Sequence, residues 1–318
     1  MHPIISIIVP IYNEEENLPE LHRRVSEAMA TAELPYEMVL VNDGSRDGSL
    51  AFMRELHARD PRVKYLSLSR NFGHQVAISA GLDHACGDAV VVMDADLQDP
   101  PEMIASLAAR WRDGYDVVYA IRQDREGMPR WRRLVYRAFY RLLSRLSRVD
   151  MPADSGDFRL MSRRVVDHLT RMPERNRFVR GLTAWVGFPQ SGVPYVRPPR
   201  HAGTPKYSWA RLWRLALDGL LSFSFMPLQL ATWVGFAVAG IGAVYAVYIV
   251  HARVFTDTPP AGWTSLMVAL LFLGGVQLMT LGIIGEYIGR IFDEVKRRPL
   301  YLLDETGGFE EGRERPGG

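Results

Sequence analysis

The sequence predicts an α/β fold: a mainly parallel sheet over residues 1–207, followed by a pair of membrane-crossing helices. Short apolar runs alternate with amphipathic stretches from Ile4 to Ile121, the pattern of successive βαβ units. Each apolar run ends in polar, turn-competent residues, as expected where the strands of an open sheet stop at one common edge. Beyond residue 227 the pattern changes to two uncharged runs, Leu228–Val250 and Trp263–Gly285, each long enough to cross bilayer hydrocarbon.

The elements follow in order. Ile4–Val9 is a continuous apolar strand closed by Pro10, and it is too short for the core of a signal peptide. Asn17–Thr31 is an amphipathic helix, and Tyr36–Val41 is a second strand ending in Asn42-Asp43-Gly44-Ser45. Arg46–Arg59 is helical, Val63–Leu68 is a third strand, and Gly73–His84 is helical again. Ala89–Met93 is a fourth strand, and Asp99 is placed as N-cap of a helix over Pro101–Arg112. Asp116–Ile121 completes the series as a fifth strand.

Residues 208–226 read as a juxtamembrane amphipathic helix, with Trp209, Leu212, Trp213, Leu215 and Leu220 at helical spacing. Pro129–Arg148 carries a similar apolar stripe interleaved with Arg, suited either to a headgroup layer or to packing on protein. The two spans occupy residues 227–290, and residues 291–318 form a tail. Arg211 and Arg214 precede the hairpin and Arg290, Lys296, Arg297 and Arg298 follow it, whereas the connecting segment is poor in cations. The positive-inside rule therefore puts both termini and the N-terminal domain in the cytoplasm, as a multi-pass protein of the inner (plasma) membrane. Gly-rich stretches at Gly235–Gly242 and Gly282–Gly289 permit close helix packing and homo-oligomerisation.

Composition narrows the function. A formal charge of +2 gives no polyanion-binding signal, so no nucleic-acid partner is expected. Cys86 is the single cysteine, which fits a reducing compartment and excludes an intrachain disulfide. No GxGxxG turn and no GxxxxGK[ST] loop occurs, so neither a conventional dinucleotide site nor a P-loop is expected.

The most informative run is Asp94-Ala95-Asp96, just past the fourth strand. In extended backbone, positions i and i+2 share a face, so both carboxylates can address one point. A hard divalent cation, Mg²⁺ or Mn²⁺, shared with a diphosphate is the natural occupant of such a point. Turn-making is the competing explanation for acids at a strand end.

The strings Val9-Pro10-Ile11-Tyr12-Asn13-Glu14, Val41-Asn42-Asp43-Gly44-Ser45, Asp94 through Glu102, and Gly156-Asp157-Phe158-Arg159-Leu160 occur in order, ahead of the hairpin. Together they resemble glycosyltransferase family 2, from about residue 4 to 300. Within it the chain looks like a polyprenyl-phosphate glycosyltransferase, the group that includes dolichyl-phosphate mannose synthases and bacterial undecaprenyl-phosphate glucosyltransferases.

The resemblance implies a GT-A catalytic domain over residues 1–207, and inverting, metal-dependent transfer of a sugar from a nucleotide-sugar to polyprenyl phosphate. UDP-glucose is the expected donor, with GDP-mannose, a UDP-modified pentose and another UDP-hexose as alternatives. By the same resemblance Pro10, Tyr12 and Glu14 line the nucleotide pocket, with Asp43 near the base. Asp96 is the direct metal ligand, Asp94 lies beside metal and nucleotide, and Gln98 touches the metal shell or the phosphates.

Asp157 takes the place of the catalytic base, or of a helix cap after Met161 if its role is structural. A lipid monophosphate is largely dianionic at neutral pH, its second pKa being about 6, so it scarcely needs a base. Asp157 is therefore expected to position the acceptor. Arg122, Arg159, Arg200 and Lys206 are the cations expected on the phosphates, the last two in a segment that resembles the family's mobile loop. Pro205 departs from the family there, standing where a hydroxyl residue is common. Bacterial relatives suggest a tetramer. A processive polysaccharide synthase would need more spans and a Gln-x-x-Arg-Trp motif, neither of which is present. A non-catalytic membrane scaffold on the same fold is the alternative of a different class.

Overall fold

The computed structural model describes residues 4–123, 155–175, 177–196, 226–255 and 262–309. It divides into two units, residues 1–208 with 298–318, and residues 209–297.

In the first unit, β1 (Ile5–Ile11) is buried along its whole length at the centre of the sheet. A sequence apolar but for Ser6 suits that place, because both faces of the sheet are covered. It is followed by α1 (Leu18–Thr31), β2 (Tyr36–Asn42), α2 (Ser49–Arg59), β3 (Val63–Leu68) and α3 (His74–His84). Next come β4 (Ala89–Val92), α4 (Met103–Arg112), β5 (Val117–Gln123), β6 (Ser155–Ser162), α5 (Arg163–Arg171), α6 (Val179–Trp185) and β7 (Gln190–Val196). The sheet order is β7-β5-β6-β4-β1-β2-β3-β8, where β8 is Leu303–Gly307.

Strands β1, β2, β3 and β4 run parallel, whereas β6 is antiparallel to both β4 and β5. The N-terminal end of β6 therefore meets the carboxyl ends of its neighbours, and Asp157 comes to the same edge as Asp94. Ile5, Ile7, Val9 and Ile11 pack on the α1, α2 and α4 side, while Ile8 packs with Ala77, Ile78 and Val165 of α3 and α5 on the other. Period-two alternation along one strand thus feeds two core layers.

Two sequence expectations need correction, the capping alternative for Asp157 falls away, and the tail is seen to carry a strand. Pro10 does not close β1, which continues to Ile11. On that side β4 pairs only as far as Ile8, so a residue without an N–H is tolerated at Pro10. Asp99 is not a helix cap: α4 starts at Met103, and Asp99 is fully buried with the Tyr195 hydroxyl donating to its Oδ1 at 2.9 Å. Asp157 caps nothing either, since Ser162 accepts from Val165 N at the start of α5. The tail after the hairpin is not merely appended. Its residues 303–307 form β8, which pairs antiparallel with β3 and covers that edge. Arg54 pairs with Glu305 at 2.5 Å, and Tyr301 Oη donates to Asp83 Oδ2 at 3.0 Å.

In the second unit, α7 (Met226–Phe255) and α8 (Trp263–Val295) are helices long and apolar enough to cross a membrane. Their apolar stretches, Ala231–His251 and Val268–Val295, have mean hydropathies of 2.0 and 2.1. Trp233, Phe236, Val244, Leu278 and Met279 are all exposed, an arrangement that water would penalise and lipid would not. The stretches expected as amphipathic helices, Pro129–Arg148 and 208–226, lie outside the described residues apart from Met226.

Candidate active site

The loops after β1, β2, β3 and β4 converge with the start of β6. Two of them hold non-glycine residues in the left-handed region, Asn13 at φ 55° and Leu97 at φ 59°. Such backbone persists only where its surroundings over-determine it. Asn13 is fixed by Ser45 and Arg46: its N–H donates to Ser45 Oγ at 3.0 Å, and its Oδ1 accepts from Arg46 N at 2.8 Å. The following loop turns sharply at Gly44, φ 66°, where a Cβ would lie 2.6 Å from the backbone at Arg70 and Asn71. Only glycine fits there.

Tyr12 is 37% exposed at the site edge, while Pro10 is buried within β1. Glu14 Oε2 accepts from Asn17 Nδ2 at 2.7 Å, ahead of α1. Asp43 was expected near a base, yet its carboxylate is 3% exposed and accepts from the amides of Phe72 and Gly73 at 2.7 and 3.0 Å. Burial pushes its pKa up against those amides. Its visible task is to hold the loop between β3 and α3. The turn in this segment is held by Asn42, whose Oδ1 accepts from Ser45 N, three residues on, at 3.0 Å.

Strand β4 ends at Val92, so Asp94 follows the strand and Asp96 stands in the turn after it. The left-handed Leu97 folds the chain so that Gln98 N donates to Asp96 Oδ1 at 3.2 Å. Asp96 is buried and Asp94 is partly so. Burial raises the Asp94 carboxyl to about 7; His74 opposes the rise, and the negative charges of Asp99, Asp157 and Asp96 add to it.

Beneath them Asp99 accepts from Asp94 N at 3.4 Å and from Tyr195 Oη, and Arg122 Nε donates to the same hydroxyl at 3.2 Å. Burial works against charge on Arg122, but Tyr195, Asp99 and Asp94 outweigh it and raise its pKa. Tyr195 is itself pushed up to about 12 by burial and Asp99.

Asp157 faces this group. His74 Nε2 lies 3.4 Å from Asp157 Oδ2 and 3.6 Å from Asp94 Oδ1, bridging the two carboxylates. Gln75 Nε2 donates to Asp157 Oδ2 at 3.4 Å, and Arg180 Nη2 to Oδ1 at 3.3 Å. Burial pushes Asp157 up, but Arg180, His74 and Arg159 prevail and hold it well below the usual carboxylate range. Burial lowers His74, but Asp157, Asp94 and Asp43 raise it to about 9. Arg159 is 3% exposed, with its guanidinium on the Gly156 carbonyl at 2.8 Å and on Thr183. Burial and the neighbouring Arg180 lower its pKa to about 10.

The edge thus gathers Tyr12, Glu14, Asp94, Asp96, Gln98, Arg122 and Asp157, while Arg200 and Lys206 lie outside the described residues. His74, Gln75, Asp99, Arg180 and Tyr195 were not singled out by the sequence as site residues. His74 and Gln75 lie at the start of the helix that follows the third strand, whose carboxyl end was expected at this edge, and that adjacency was the available signal.

Among the described residues no group of three or more His, Cys, Asp or Glu is arranged to hold a metal ion. Asp94 and Asp96 fit a cation of the kind that takes one or two carboxylates and completes its shell with substrate phosphates. Burial raises the Asp94 carboxyl and the neighbouring carboxylates add to the rise, and a cation there would favour its ionised form.

A mainly parallel sheet bearing paired carboxylates at its carboxyl edge, facing an ionised Asp157, defines the GT-A class of nucleotide-sugar transferase. The chain belongs to glycosyl transferase family 2, whose pattern matches residues 6–170, and the GtrB C-terminal hairpin matches residues 226–291. It is 48% identical to the uncharacterized glycosyltransferase YkcC of Bacillus subtilis, over 98% of this chain and 97% of that one. It is 44% identical to the SfII prophage-derived bactoprenol glucosyl transferase of Shigella flexneri, over 95% of this chain and 98% of that one. Among solved structures, the mannosyltransferase PcManGT of Pyrobaculum calidifontis, in complex with GDP-Man and Mn²⁺, is 19% identical at TM-score 0.44. It covers 92% of this chain and 88% of that one.

Proposed function

We propose that this protein transfers glucose from UDP-glucose to a polyprenyl phosphate with inversion, giving polyprenyl-phosphate-glucose and UDP. The observation that carries the reading is the 44% identity, over 95% of the chain, to a protein named for glucosyl transfer to bactoprenol. The site chemistry supports it. One non-ester oxygen of the lipid phosphate attacks the anomeric carbon as the bond from that carbon to the diphosphate oxygen breaks, and its electron pair leaves with UDP. No proton needs to move.

Asp94 and Asp96 would hold the divalent cation, Mg²⁺ or Mn²⁺, which supplies Lewis-acid neutralisation of the departing diphosphate. Tyr12 offers its exposed ring to the uracil or ribose, and Glu14 and Gln98 offer polar groups beside it. Arg122 stands at the same edge as a counter-charge to the phosphates, joined by Arg200 and Lys206 on closure of their segment. Arg159 serves through the carbonyl of Gly156 and Thr183, holding the backbone around Asp157. Asp157, already ionised and hydrogen-bonded, positions and does not abstract.

Residues 1–207 are the catalytic domain on the cytoplasmic side of the inner (plasma) membrane, joined by residues 208–226 to spans within 227–290. With both termini cytoplasmic, residues 291–318 can return to the catalytic sheet. The Gly-rich spans support assembly as a homo-oligomer, a tetramer by family resemblance.

The test is transfer by purified protein in detergent with polyprenyl phosphate, Mn²⁺ or Mg²⁺, and a panel of UDP- and GDP-sugars. Glucose from UDP-glucose should enter the lipid fraction with stoichiometric UDP release, and chelation should abolish both. Turnover of GDP-mannose without any UDP-sugar would overturn the donor assignment, and no turnover at all would favour the scaffold.

A further inference from the structure

We propose that Arg180 receives the phosphate of the acceptor, a phosphomonoester dianion, and that Asp157 and Gln75 hold it in place for that purpose. This rests on the glycosyl-transfer reading above and names a residue that the reading does not use.

The geometry separates Arg180 from a purely structural arginine. Arg159, on β6, shows what the structural kind looks like here: it is 3% exposed, and its terminal nitrogens sit on Thr183 and on the carbonyl of Gly156. Arg180, in the first turn of α6, is more open, with a side chain 22% exposed. Its Nη2 makes the 3.3 Å contact with Asp157, while its Nε, like that of Arg159, is buried without a hydrogen-bond partner among the described residues, so the terminal nitrogens are what the exposed side chain can offer. A guanidinium has five N–H donors in a planar fork, and that fork matches phosphate oxygens. Asp157 thus orients the group without using up its donors.

Gln75 supplies the bracing. Its Oε1 accepts from Val179 N at 2.9 Å, one residue before Arg180, and its Nε2 donates to Asp157. One side chain therefore ties the carboxylate and the backbone that carries the arginine to α3.

Charge balance supplies the need. Asp94, Asp96, Asp99 and Asp157 crowd one edge, and a dianion cannot enter beside them without a cation of its own. Arg180 brings a guanidinium to the Asp157 side of that group.

The experiment compares wild type, Arg180→Gln and Arg180→Lys for binding of a short polyprenyl phosphate against the matching polyprenol, with Mn²⁺–UDP affinity and thermal midpoint measured alongside. Wild type should prefer the phosphate. Arg180→Gln should lose that preference by roughly tenfold or more, the scale of a charged hydrogen bond, with UDP affinity unchanged. Arg180→Lys should keep part of it, and added guanidinium should restore some binding to Arg180→Gln. If Arg180→Gln folds poorly, Arg180→Lys still decides. Either variant keeping full preference for the phosphate would overturn the proposal. A wild type that binds the lipid phosphate but transfers nothing to it would sink the glycosyl-transfer reading while leaving the Arg180 result standing.

Discussion

Replacing Asp157 with Asn separates proton abstraction from positioning, because the side chain keeps its shape and loses its charge. The carboxylate now meets Arg180 Nη2 at 3.3 Å on one oxygen, and His74 Nε2 and Gln75 Nε2, each at 3.4 Å, on the other. An amide can accept on only one side. Turned toward Arg180, it sets its NH₂ against the Gln75 and His74 donors; turned the other way, it sets it against the guanidinium. At least one charged contact is lost in either orientation, about 1.5–3 kcal/mol. Loss of alignment on the scale of 1 Å costs roughly 100-fold in rate.

We therefore expect Asp157→Asn to lower kcat by about 100-fold. Because the acceptor is already mostly dianionic above its second pKa of about 6, the deficit should be the same throughout. The assay is initial rate of lipid-linked sugar formation from pH 6 to 9, with thermal midpoint as a folding control. Parallel profiles for variant and wild type support positioning. A variant that recovers toward the wild-type rate as pH rises would refute it, since hydroxide or acceptor ionisation would then be replacing a lost base.

Tyr195→Phe removes a hydroxyl held between Asp99 and Arg122 but keeps the edge-to-face ring contact with Phe158 at 6.1 Å. It should cost about 1–2 kcal/mol of stability and weaken Mn²⁺–UDP binding, as read by thermal midpoint and metal titration. Gly156→Ala places a Cβ 2.7 Å from Arg122 Nη2, so the guanidinium must move. Activity should fall several-fold or more, and an unchanged kcat/KM would mean that Arg122 does not meet substrate. Acid stability should report Asp60, whose pKa the side chain of Arg62 lowers to about 2, against burial and with help from His22. The folded pKa lies below the unfolded one, so this contribution is complete above about pH 4 and is lost as pH falls toward 2. After solvent screening it is worth roughly 1 kcal/mol. The wild-type thermal midpoint should fall more steeply over that window than that of Asp60→Asn.

The elements legible in the sequence are those whose apolar runs are buried on both faces. Ile5–Ile11 and Tyr36–Asn42 are covered along their whole length and read as strands at sight. Helix starts were less legible, because tertiary bonds set them. Residues 46–48 lie outside α2, where Gly48 N donates to Glu15 Oε2 at 2.8 Å in a bond between sequence-distant loops. Strand β7, with its Gly and Pro, and β8, whose residues Leu303–Gly307 are largely polar and exposed, lie at the sheet's two edges. There pairing replaces patterning, and β8 pairs with a strand far upstream. The same holds in the site. Asp94 and Asp96 were legible as a pair, whereas Tyr195 and Arg180 reach it through pairings and packings that sequence spacing does not encode.

The two sides of the site differ in how their charge is balanced, and that difference divides the work. Around Asp94 the carboxylates of Asp96 and Asp99 accumulate, and burial carries the Asp94 carboxyl to about 7. Arg122 is linked to Asp99 through the Tyr195 hydroxyl. Asp157 instead has a guanidinium and an imidazole in direct contact and is held ionised. Environments that push neighbouring carboxyls apart in this way assign them different tasks. The donor side, where His74 and Arg122 leave Asp94 still raised to about 7, can take further positive charge from a divalent cation that enters with the diphosphate. The acceptor side carries its own, so a lipid phosphate needs no metal to bind there. It follows that chelation should weaken nucleotide binding strongly and polyprenyl-phosphate binding little. Equal loss of both would mean that one cation serves both phosphates and that the division does not exist.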